Sequence, residues 1–334
     1  MKSTSKQKIH FLGLNKLWVP GREFSEVTKI LENSDYLVSK NKLAFNSKVY
    51  LHDKYSLKRS FYHLFKNKVY FDYFHGNPSV NPEFSDLFNY IINNPNKYHK
   101  IRVTNDKICK LFFKYGLKEK ICKIYLGVDN QIFRQINTAQ KLLIKKNLNI
   151  PEDYIVIGSF QKDGEGWGKG LMPKMIKGPD IFIEVVNLLK KQGLKIFVLL
   201  LGPSRGFLKK ELEKINIKFT HIFEKNYQNM CNYYNVLDFY LISSREEGGP
   251  KALLESMACG VPVITTPTGQ SVDLIQNEYN GIIVKNFSAI TLADKLTDLI
   301  NNENLQNKIK IEGKKTALEN DYKNQKTLWE NFFK

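Results

Sequence analysis

The sequence predicts an α/β protein built on doubly wound parallel sheets. From Tyr154 onward, short apolar segments alternate with amphipathic helical segments, which is typical of a parallel sheet covered by helices. Several of these segments, such as 195–201 and 237–243, are mainly apolar, as expected of parallel strands buried on both faces. The length of 334 residues is enough for two domains of ordinary size.

The first half of the chain also predicts strands, although with less regular spacing. Segments rich in aromatic and β-branched residues predict strands over 8–14, 48–54, 68–74, 100–104 and 121–126. Helical periodicity predicts helices over 20–34, 84–93 and 105–115. The polar segment 130–150, rich in Lys and Asn, predicts a partly helical connector, so we divide the chain into domains 1–140 and 150–320.

The second half alternates more clearly. Strands are predicted over 154–160, 195–201, 218–223, 237–243, 261–266 and 281–284. Helices are predicted over 179–191, 207–215, 226–235, 251–259, 271–276, 289–302, 305–320 and 322–333. The glycines of segment 161–170 do not have the spacing of a dinucleotide-binding fingerprint, so we predict a long flexible loop there.

The composition excludes several classes of protein. Hydrophobic residues make up 42% of the chain and aromatic residues 13%, which is enough to build a core. No apolar segment approaches the roughly 18–20 residues of a membrane span, and the N-terminal apolar segment is too short for a signal peptide. The four cysteines form no C-x-x-C pair and the six histidines lack metal-ligand spacing. We therefore expect a cytoplasmic protein in a reduced compartment.

The net charge of +18 indicates an anionic partner or substrate. Only six of the 51 basic residues are arginine, the residue that proteins reading nucleic-acid sequence prefer, so we do not expect nucleic acid. Peripheral contact with anionic lipid at the inner membrane face is favoured instead. A lysine-rich surface that is merely solvated remains the alternative.

The segment 237–266 predicts an anion site. Loop residues Gly248 and Gly249 let a ligand approach the backbone amides of the next helix, where the helix dipole is positive. Lys251 lies in that first turn, where a cation is unfavourable unless an anion binds, and Pro250 fits the first helical position. The alternative is that Lys251 pairs with Glu255 on one helix face while Glu247 is solvated.

Lys177 repeats this arrangement ahead of the helix that begins at Pro179. Two such lysines in one domain predict a shared anion, although Asp180 and Glu184 are alternative partners for Lys177. In the first domain, His75 follows the predicted strand 68–74, at the edge where parallel sheets bind ligands. A structural role is the alternative for a lone histidine.

These residues resemble a known family. Glu247-x7-Glu255, within SREEGGPKALLESMACGVPV, is similar to the signature of retaining GT-B glycosyltransferases of family 4. The resemblance is strongest over 237–284, and further matches, such as Gly127-Val128-Asp129, spread over most of the chain. It implies two Rossmann-like doubly wound domains with an interdomain cleft, and a final helix, 321–334, that packs on the first domain.

The resemblance also implies a function and a set of site residues. It implies transfer of a sugar from a nucleotide-sugar donor to an acceptor, such as a glycan or lipid-linked saccharide in polysaccharide biosynthesis, by a hexosyltransferase-type enzyme. The implied roles are contact with the donor sugar for catalysis by Glu247 and His75, diphosphate binding by Lys162, Lys177, Gly248 and Gly249, ribose binding by Glu255, and base-side contacts by Glu224 and Lys225. The loop 13–16 would meet donor or acceptor, although it has a single glycine.

The chain has no D-x-D pair, so we expect a metal-independent enzyme without a cofactor. Two alternatives remain open. One is a nucleotide-sugar epimerase or hydrolase of the same fold. The other is a non-catalytic subunit that binds a membrane or a protein partner through its positive surface.

Overall fold

A computed structural model describes residues 7–12, 19–52 and 61–334, with the backbone alone for residues 19 and 20. The chain forms two compact units, one comprising Met1–Gly127 with Asp321–Lys334 and the other comprising Val128–Asn320. The segment 130–150, which we expected to be a connector, clusters with the second unit and contains the helix Thr138–Asn147. The loop 13–16 lies outside the described residues.

The first unit contains a six-stranded parallel sheet in the order β2-β1-β3-β4-β5-β6. Its strands are β1 (Gln7–Leu12), β2 (Tyr36–Ser39), β3 (Lys48–Leu51), β4 (Lys68–Tyr73), β5 (Lys100–Val103) and β6 (Ile121–Lys123). Its helices are Val19–Glu32, Pro82–Ile92, Asp106–Lys114 and Lys326–Phe333. The sequence did not predict β2, because this short edge strand has neither a long apolar segment nor clear alternation.

The second unit contains another six-stranded parallel sheet, in the order β12-β11-β10-β7-β8-β9. Its strands are β7 (Ile155–Ser159), β8 (Ile196–Leu201), β9 (Lys218–Ile222), β10 (Phe239–Ile242), β11 (Val263–Thr265) and β12 (Ile282–Ile283). Its helices are Thr138–Asn147, Pro179–Lys191, Gly206–Lys214, Met230–Asn235, Lys251–Ala258, Ser271–Leu274, Ala289–Ile300 and Glu303–Glu319.

The apolar segments explain why both sheets are covered. Every residue of Ile196–Leu201 is buried, because its side chains enter two hydrophobic clusters, one on each face of the second sheet. Polar residues begin several helices: the side chains of Asn105 and Ser288 each accept a bond from a backbone N–H in the first turn of their helix. These local choices agree with the doubly wound α/β fold that the sequence predicts.

An aromatic cluster fills one side of the first unit. Trp329 and Phe333 of the last helix are fully buried, and the ring centroids of Tyr50 and Phe333 are 5.4 Å apart. The hydroxyl of Tyr70 donates to the backbone oxygen of Phe333 at 3.0 Å. The segment Asp321–Lys334 is thus part of the core of the first unit.

Arg102 is buried in the same unit and is fully paired. Its guanidinium lies 3.0 Å from Asp72 and 3.1 Å from Glu23, and its Nε donates to the backbone oxygen of Ile124 at 2.9 Å. The guanidinium carbon also lies 4.8 Å from the ring centroid of Trp329. Such a group is tolerated inside a protein because every charge has a partner.

One local prediction is wrong, and another is refined by the structure. Pro250 is the N-cap of the helix Lys251–Ala258 and not its first residue, since its backbone is extended. The segment 161–170 is a loop, as predicted, but it is tied to the residues that follow it. It is one arm of a hairpin in which the backbone N–H of Lys174 donates to Asp163 at 2.7 Å and that of Glu165 to Met172 at 2.8 Å. Across the described parts of the chain, every helix is too short or too polar to cross a membrane.

Candidate active site

The second sheet has a topological switch point between β7 and β10. Connections run from β7 through β8 to β9 in one direction and from β10 through β11 to β12 in the other. Parallel sheets bind ligands in the crevice that opens at the carboxyl ends of two such strands. The segments 160–162 and 243–249, which follow β7 and β10, therefore define the candidate site.

Lys177 and Glu247 meet beside this crevice. The Nζ atom of Lys177 lies 2.5 Å from a carboxylate oxygen of Glu247, and the Ser244 hydroxyl donates to the other oxygen at 2.9 Å. The Glu247 side chain is 13% exposed, so the alternative of a solvated Glu247 is wrong. Asp180, an alternative partner for Lys177, instead accepts two bonds from Arg245 at 2.7 and 2.6 Å.

The backbones of the two loops are held together around this ion pair. The Gln161 amide donates to the backbone oxygen of Lys177 at 2.8 Å. Its oxygen also lies 2.9 Å from the Ser244 hydroxyl, whose single proton is shared between Gln161 and Glu247. Gly178, the N-cap of Pro179–Lys191, has a φ of 59°. A Cβ at Gly178 would lie 1.9 Å from the backbone oxygen of Ser243, so glycine is required for this close approach.

Glu255 is buried one turn into the helix Lys251–Ala258. Its carboxylate accepts a bond of 2.7 Å from the Tyr234 hydroxyl and a second bond from the Tyr227 hydroxyl. Burial, followed by the charge of Glu255, raises the pKa of Tyr234, so this tyrosine stays a donor. Lys251 is buried as well, and its Nζ lies 5.9 Å from the ring centroid of Tyr227. Each Glu255 oxygen keeps a second lone pair for a ligand hydroxyl.

Lys162 begins the hairpin that follows β7. Its Nζ lies 3.7 Å from the ring centroid of Trp167, close enough for a cation–π contact. Burial, followed by the charge of Lys174, lowers the pKa of Lys162. A nearby anion would relieve the repulsion between these two lysines.

Arg205 is buried beside the first residues of the hairpin and holds them in place. It is 1% exposed and donates to the Ser159 hydroxyl and to the Leu201 backbone oxygen, both at 2.9 Å, and to the backbone oxygen of Gln161. It also lies 3.0 Å from the Asp163 carboxylate. Burial raises the pKa of Asp163 to about 6, and Arg205 opposes that shift.

Glu224 and Lys225 follow β9, at the edge of the sheet and two strands away from β7. Glu224 accepts bonds from the backbone N–H of Asn226 at 2.7 Å, from the Asn229 amide at 3.1 Å and from the Tyr233 hydroxyl at 3.2 Å. All of these partners belong to its own loop and the helix that follows. These bonds fix the Glu224 carboxylate within its own loop, and its base-side contact stays a prediction.

His75 lies among aromatic rings in the first unit. Its ring stacks on Phe74 with centroids 4.7 Å apart, and the Phe84 centroid is 5.2 Å away. His52, which the sequence analysis missed, follows β3 next to the switch point between β1 and β3. Its Nδ1 lies 3.3 Å from the buried Asp72 carboxylate. The signal that selected His75, a histidine at a strand end, also applies to His52.

The other residues that sequence reasoning missed in the second unit are those that hold the site in place. Their positions are Gln161, Arg205, Tyr227, Tyr234 and Ser244. Local spacing gives no signal for them because each contacts a residue far away in the chain.

The fold identifies the structural class of the protein. Two parallel six-stranded sheets, each with a switch point at its carboxyl edge, form a GT-B glycosyltransferase fold. HepE of Anabaena, in a complex with UDP-glucose, has the same fold with a TM-score of 0.78 over 97% of this chain and 98% of that chain, at 14% identity. The fold prediction is confirmed.

The sequence comparisons find glycosyltransferases that are similar to this chain. Residues 171–316 match the family model described as glycosyl transferases group 1. An α-1,3-N-acetylgalactosaminyltransferase of Campylobacter jejuni, which acts on N,N'-diacetylbacillosaminyl-diphospho-undecaprenol, is 27% identical over 71% of this chain and 62% of its own length. An uncharacterized glycosyltransferase of Methanocaldococcus jannaschii is 25% identical over 61% of this chain and 57% of its own length. The chain thus spans about three-fifths of these relatives, and the matches support a GT-B glycosyltransferase.

Proposed function

We propose that this protein is a retaining glycosyltransferase that moves a hexosyl group from a nucleotide-sugar donor to a glycan or lipid-linked saccharide. The observation that carries the proposal is the Lys177–Glu247 pair at the switch-point crevice. The name of the Campylobacter relative, with its lipid-linked acceptor, and the UDP-glucose bound by HepE support the choice of substrates.

The adjacency of Lys177 and Glu247 matches the chemistry of the donor. In a nucleotide sugar the anomeric carbon is joined directly to a phosphate oxygen, so the charge that develops on the diphosphate lies next to the sugar hydroxyls. Lys177 would take the phosphate charge while Glu247, 2.5 Å away, would accept bonds from sugar hydroxyls. The pair can therefore grip both sides of the bond that breaks.

The other site residues would contact the diphosphate and the ribose of the donor. Lys162 and the backbone of Gly248 and Gly249 would share the diphosphate charge, because a cation and the positive end of a helix dipole both favour an anion. Glu255, fixed by Tyr227 and Tyr234, would accept bonds from the ribose hydroxyls.

Other parts of the proposal rest on the family resemblance. Retention, a sugar contact from His75, and base-side contacts from Glu224 and Lys225 remain proposals, and we name no enzymatic nucleophile. We also propose that the enzyme needs no metal, since the chain has no D-x-D pair and lysines can carry the diphosphate charge. Its proposed location is cytoplasmic, with peripheral contact at the inner membrane face, where a lipid-linked acceptor would be found.

The proposal is tested by calorimetry with a panel of nucleoside diphosphates in the presence of a chelator. Lys177→Ala should weaken the affinity of the preferred diphosphate about 10- to 100-fold, the effect of losing a hydrogen bond from a charged group. Lys191→Ala, at the exposed far end of Pro179–Lys191, is the control and should bind as the wild type does. Unchanged affinity in Lys177→Ala would refute the diphosphate site.

Activity is measured separately with the nucleotide sugar of the preferred base. Transfer that needs an acceptor supports a transferase, whereas sugar released or epimerised without an acceptor supports the alternative enzymes. Retention is checked from the anomeric configuration of the product.

A further inference from the structure

An exposed apolar surface is found in the first unit, on the segments that precede β3 and β4. We call it the apolar platform. Its five side chains are between 46% and 69% exposed: Leu43, Phe45, Phe61, Leu64 and Phe65. Large apolar side chains that cluster on a surface usually mark an interaction site, whereas single ones need no explanation.

The apolar platform is a built feature. The buried side chain of Asn67 joins its two segments: it accepts from the backbone N–H of Ser47 at 2.8 Å and donates to the backbone oxygens of Ala44 at 2.8 Å and Tyr62 at 2.9 Å. The rings of Phe45 and Phe65 pack edge to face with centroids 5.1 Å apart. The fold thus fixes the backbones of the two segments against each other and packs Phe45 on Phe65.

Lysines line the same edge of the sheet. We call them the lysine edge: Lys48 and Lys68 begin β3 and β4 as direct neighbours, Lys100 begins β5, and Lys120 precedes β6. Because all six strands are parallel, their amino ends meet at one edge. The apolar platform directly precedes Lys48 and Lys68 and therefore lies at this edge too.

The electrostatics of the lysine edge are those of a cationic cluster. Burial lowers the pKa of Lys48, and the charges of Lys68 and Lys100 lower it further. The segments 36–52 and 61–71 contain no Asp or Glu, while Lys40, Lys42 and Lys66 add further exposed positive charge. An anionic surface would relieve this repulsion.

We propose that the apolar platform and the lysine edge together dock the first unit on an anionic lipid bilayer. Exposed Phe and Leu side chains would enter the boundary between headgroups and acyl chains, while the lysines contact lipid phosphates. This surface lies at the edge opposite to the carboxyl ends of the strands, where His52 and His75 lie. Docking would therefore leave the ligand-binding edge of this unit uncovered.

Charge argues for a bilayer over a second copy of the chain. A two-fold symmetric dimer through this surface would place one lysine edge against another, which is repulsive. The inference rests on the proposed function only in taking the membrane as the place of a lipid-linked acceptor. Binding to vesicles needs no nucleotide, so the two proposals can fail separately.

The test is co-sedimentation of the full chain with vesicles of phosphatidylcholine, alone or mixed with phosphatidylglycerol. We expect binding to the mixed vesicles that weakens with added salt. Lys42→Gln with Lys68→Gln should lower the partition coefficient about 25-fold, at about fivefold per lysine. Leu43→Ser with Leu64→Ser should lower it about tenfold through lost apolar burial.

Matched controls come from exposed residues of the second unit. Ile290→Ser with Ile311→Ser controls for apolar loss, and Lys191→Gln with Lys210→Gln controls for charge; both should bind as the wild type does. Thermal unfolding of each variant checks that it is folded. Equal binding to both vesicle types, or equal losses in the control variants, would overturn the proposal. So would a dimer in analytical ultracentrifugation that Leu43→Ser with Leu64→Ser dissociates.

Discussion

Glu247 and Glu255 belong to one short stretch of sequence but occupy different environments. Glu247 follows a strand, is partly exposed and pairs with Lys177, so it can exchange that contact for ligand hydroxyls. Glu255 is 4% exposed and is fixed by two tyrosine hydroxyls. We infer that Glu247 responds to the donor sugar, whereas Glu255 is a preset acceptor for the ribose.

The variant Glu247→Gln separates sugar from phosphate recognition. We expect turnover to fall about 100-fold, because a neutral amide accepts hydroxyl bonds more weakly than a carboxylate. Affinity for the nucleoside diphosphate, which has no sugar, should stay within about threefold. Steady-state kinetics and calorimetry measure the two effects. Glu184→Gln, an exposed carboxylate on Pro179–Lys191, is the control; equal losses of both quantities in Glu247→Gln would contradict this division of roles.

Arg102 is a buried charged residue of the first unit, and its role is structural. Arg102→Met should lower the free energy of unfolding by about 3–5 kcal/mol, because Asp72 and Glu23 would remain buried without their cation. Urea unfolding followed by tryptophan fluorescence measures this loss. A Trp167→Phe background removes the tryptophan of the second unit and keeps Trp329, which is buried in the first unit, as a reporter. The exposed Lys107→Met is the control, and a loss no larger than in this control would count against the assignment.

At the scale of elements, the site depends on loops that must approach each other closely. The 163–174 hairpin packs on the loop before Gly206. The Ser204 hydroxyl lies 3.1 Å from the backbone oxygens of Gly166 and Gly168 and shares its single proton between them. A Cβ at Gly164 or Gly170 would lie 2.3 Å from the Ser204 backbone oxygen. Gly164 and Gly170 therefore serve packing against this loop.

Gly178 tests the contact between loops most directly. Gly178→Ala should cost more than about 2 kcal/mol of unfolding free energy and weaken diphosphate binding, because the new Cβ collides with Ser243 and moves Lys177. Gly193→Ala is a matched control, since Gly193 also has a positive φ, of 87°, but has open space around its Cβ position. It should cost about 1 kcal/mol and leave binding unchanged. Denaturation measures the unfolding free energy, and calorimetry measures diphosphate binding. Equal effects of the two variants would exclude a steric role for Gly178.

At the scale of the whole molecule, opposite edges of the first sheet carry different chemistry. Its carboxyl edge carries His52 and His75, and its amino edge carries the lysine edge and the apolar platform. Part of the net charge of +18 is therefore concentrated on one surface of the first unit and is not simply spread over the solvated surface. Parallel topology makes this possible, because it brings all strand starts to one edge and all strand ends to the other.

The stability of the first unit should depend on pH through Asp72. Burial by itself raises the pKa of Asp72, but Arg102 and His52 outweigh it and hold that pKa below its ordinary value of 3.8. The unfolded chain thus binds the proton more tightly, so the contribution of Asp72 is complete above that ordinary value and is lost as pH falls through the lower folded pKa. Urea unfolding of the Trp167→Phe protein across acidic pH measures this fall.

Asp72→Asn should be less stable at neutral pH and should lose less stability on acidification. The exposed Asp86→Asn supplies the control. An acid dependence that is equally steep in Asp72→Asn would show that other carboxyls carry it.

The sequence by itself determined the elements and the class of the site. Apolar segments and helical periodicity are local patterns, so they predicted most strands and helices and the parallel architecture. The spacing of Glu247 and Glu255 drew attention to the loop after β10, because this pattern is contained in one strand, loop and helix. The short β2 was missed, since it has no strong local signal, and the helix Thr138–Asn147 was expected only as part of a partly helical connector.

Only the tertiary structure decided which loops meet. Strand order places β10 beside β7, and this order brings Glu247 to Lys177, Gln161 to Ser244, and Arg205 beneath the 163–174 hairpin. In the first unit, the order of the strands placed His52 next to Asp72. The same parallel order brought the starts of β3 to β6 together as the lysine edge. The physical reason is that periodicity acts over a few residues, whereas these contacts join positions that are neighbours only after the sheets have formed.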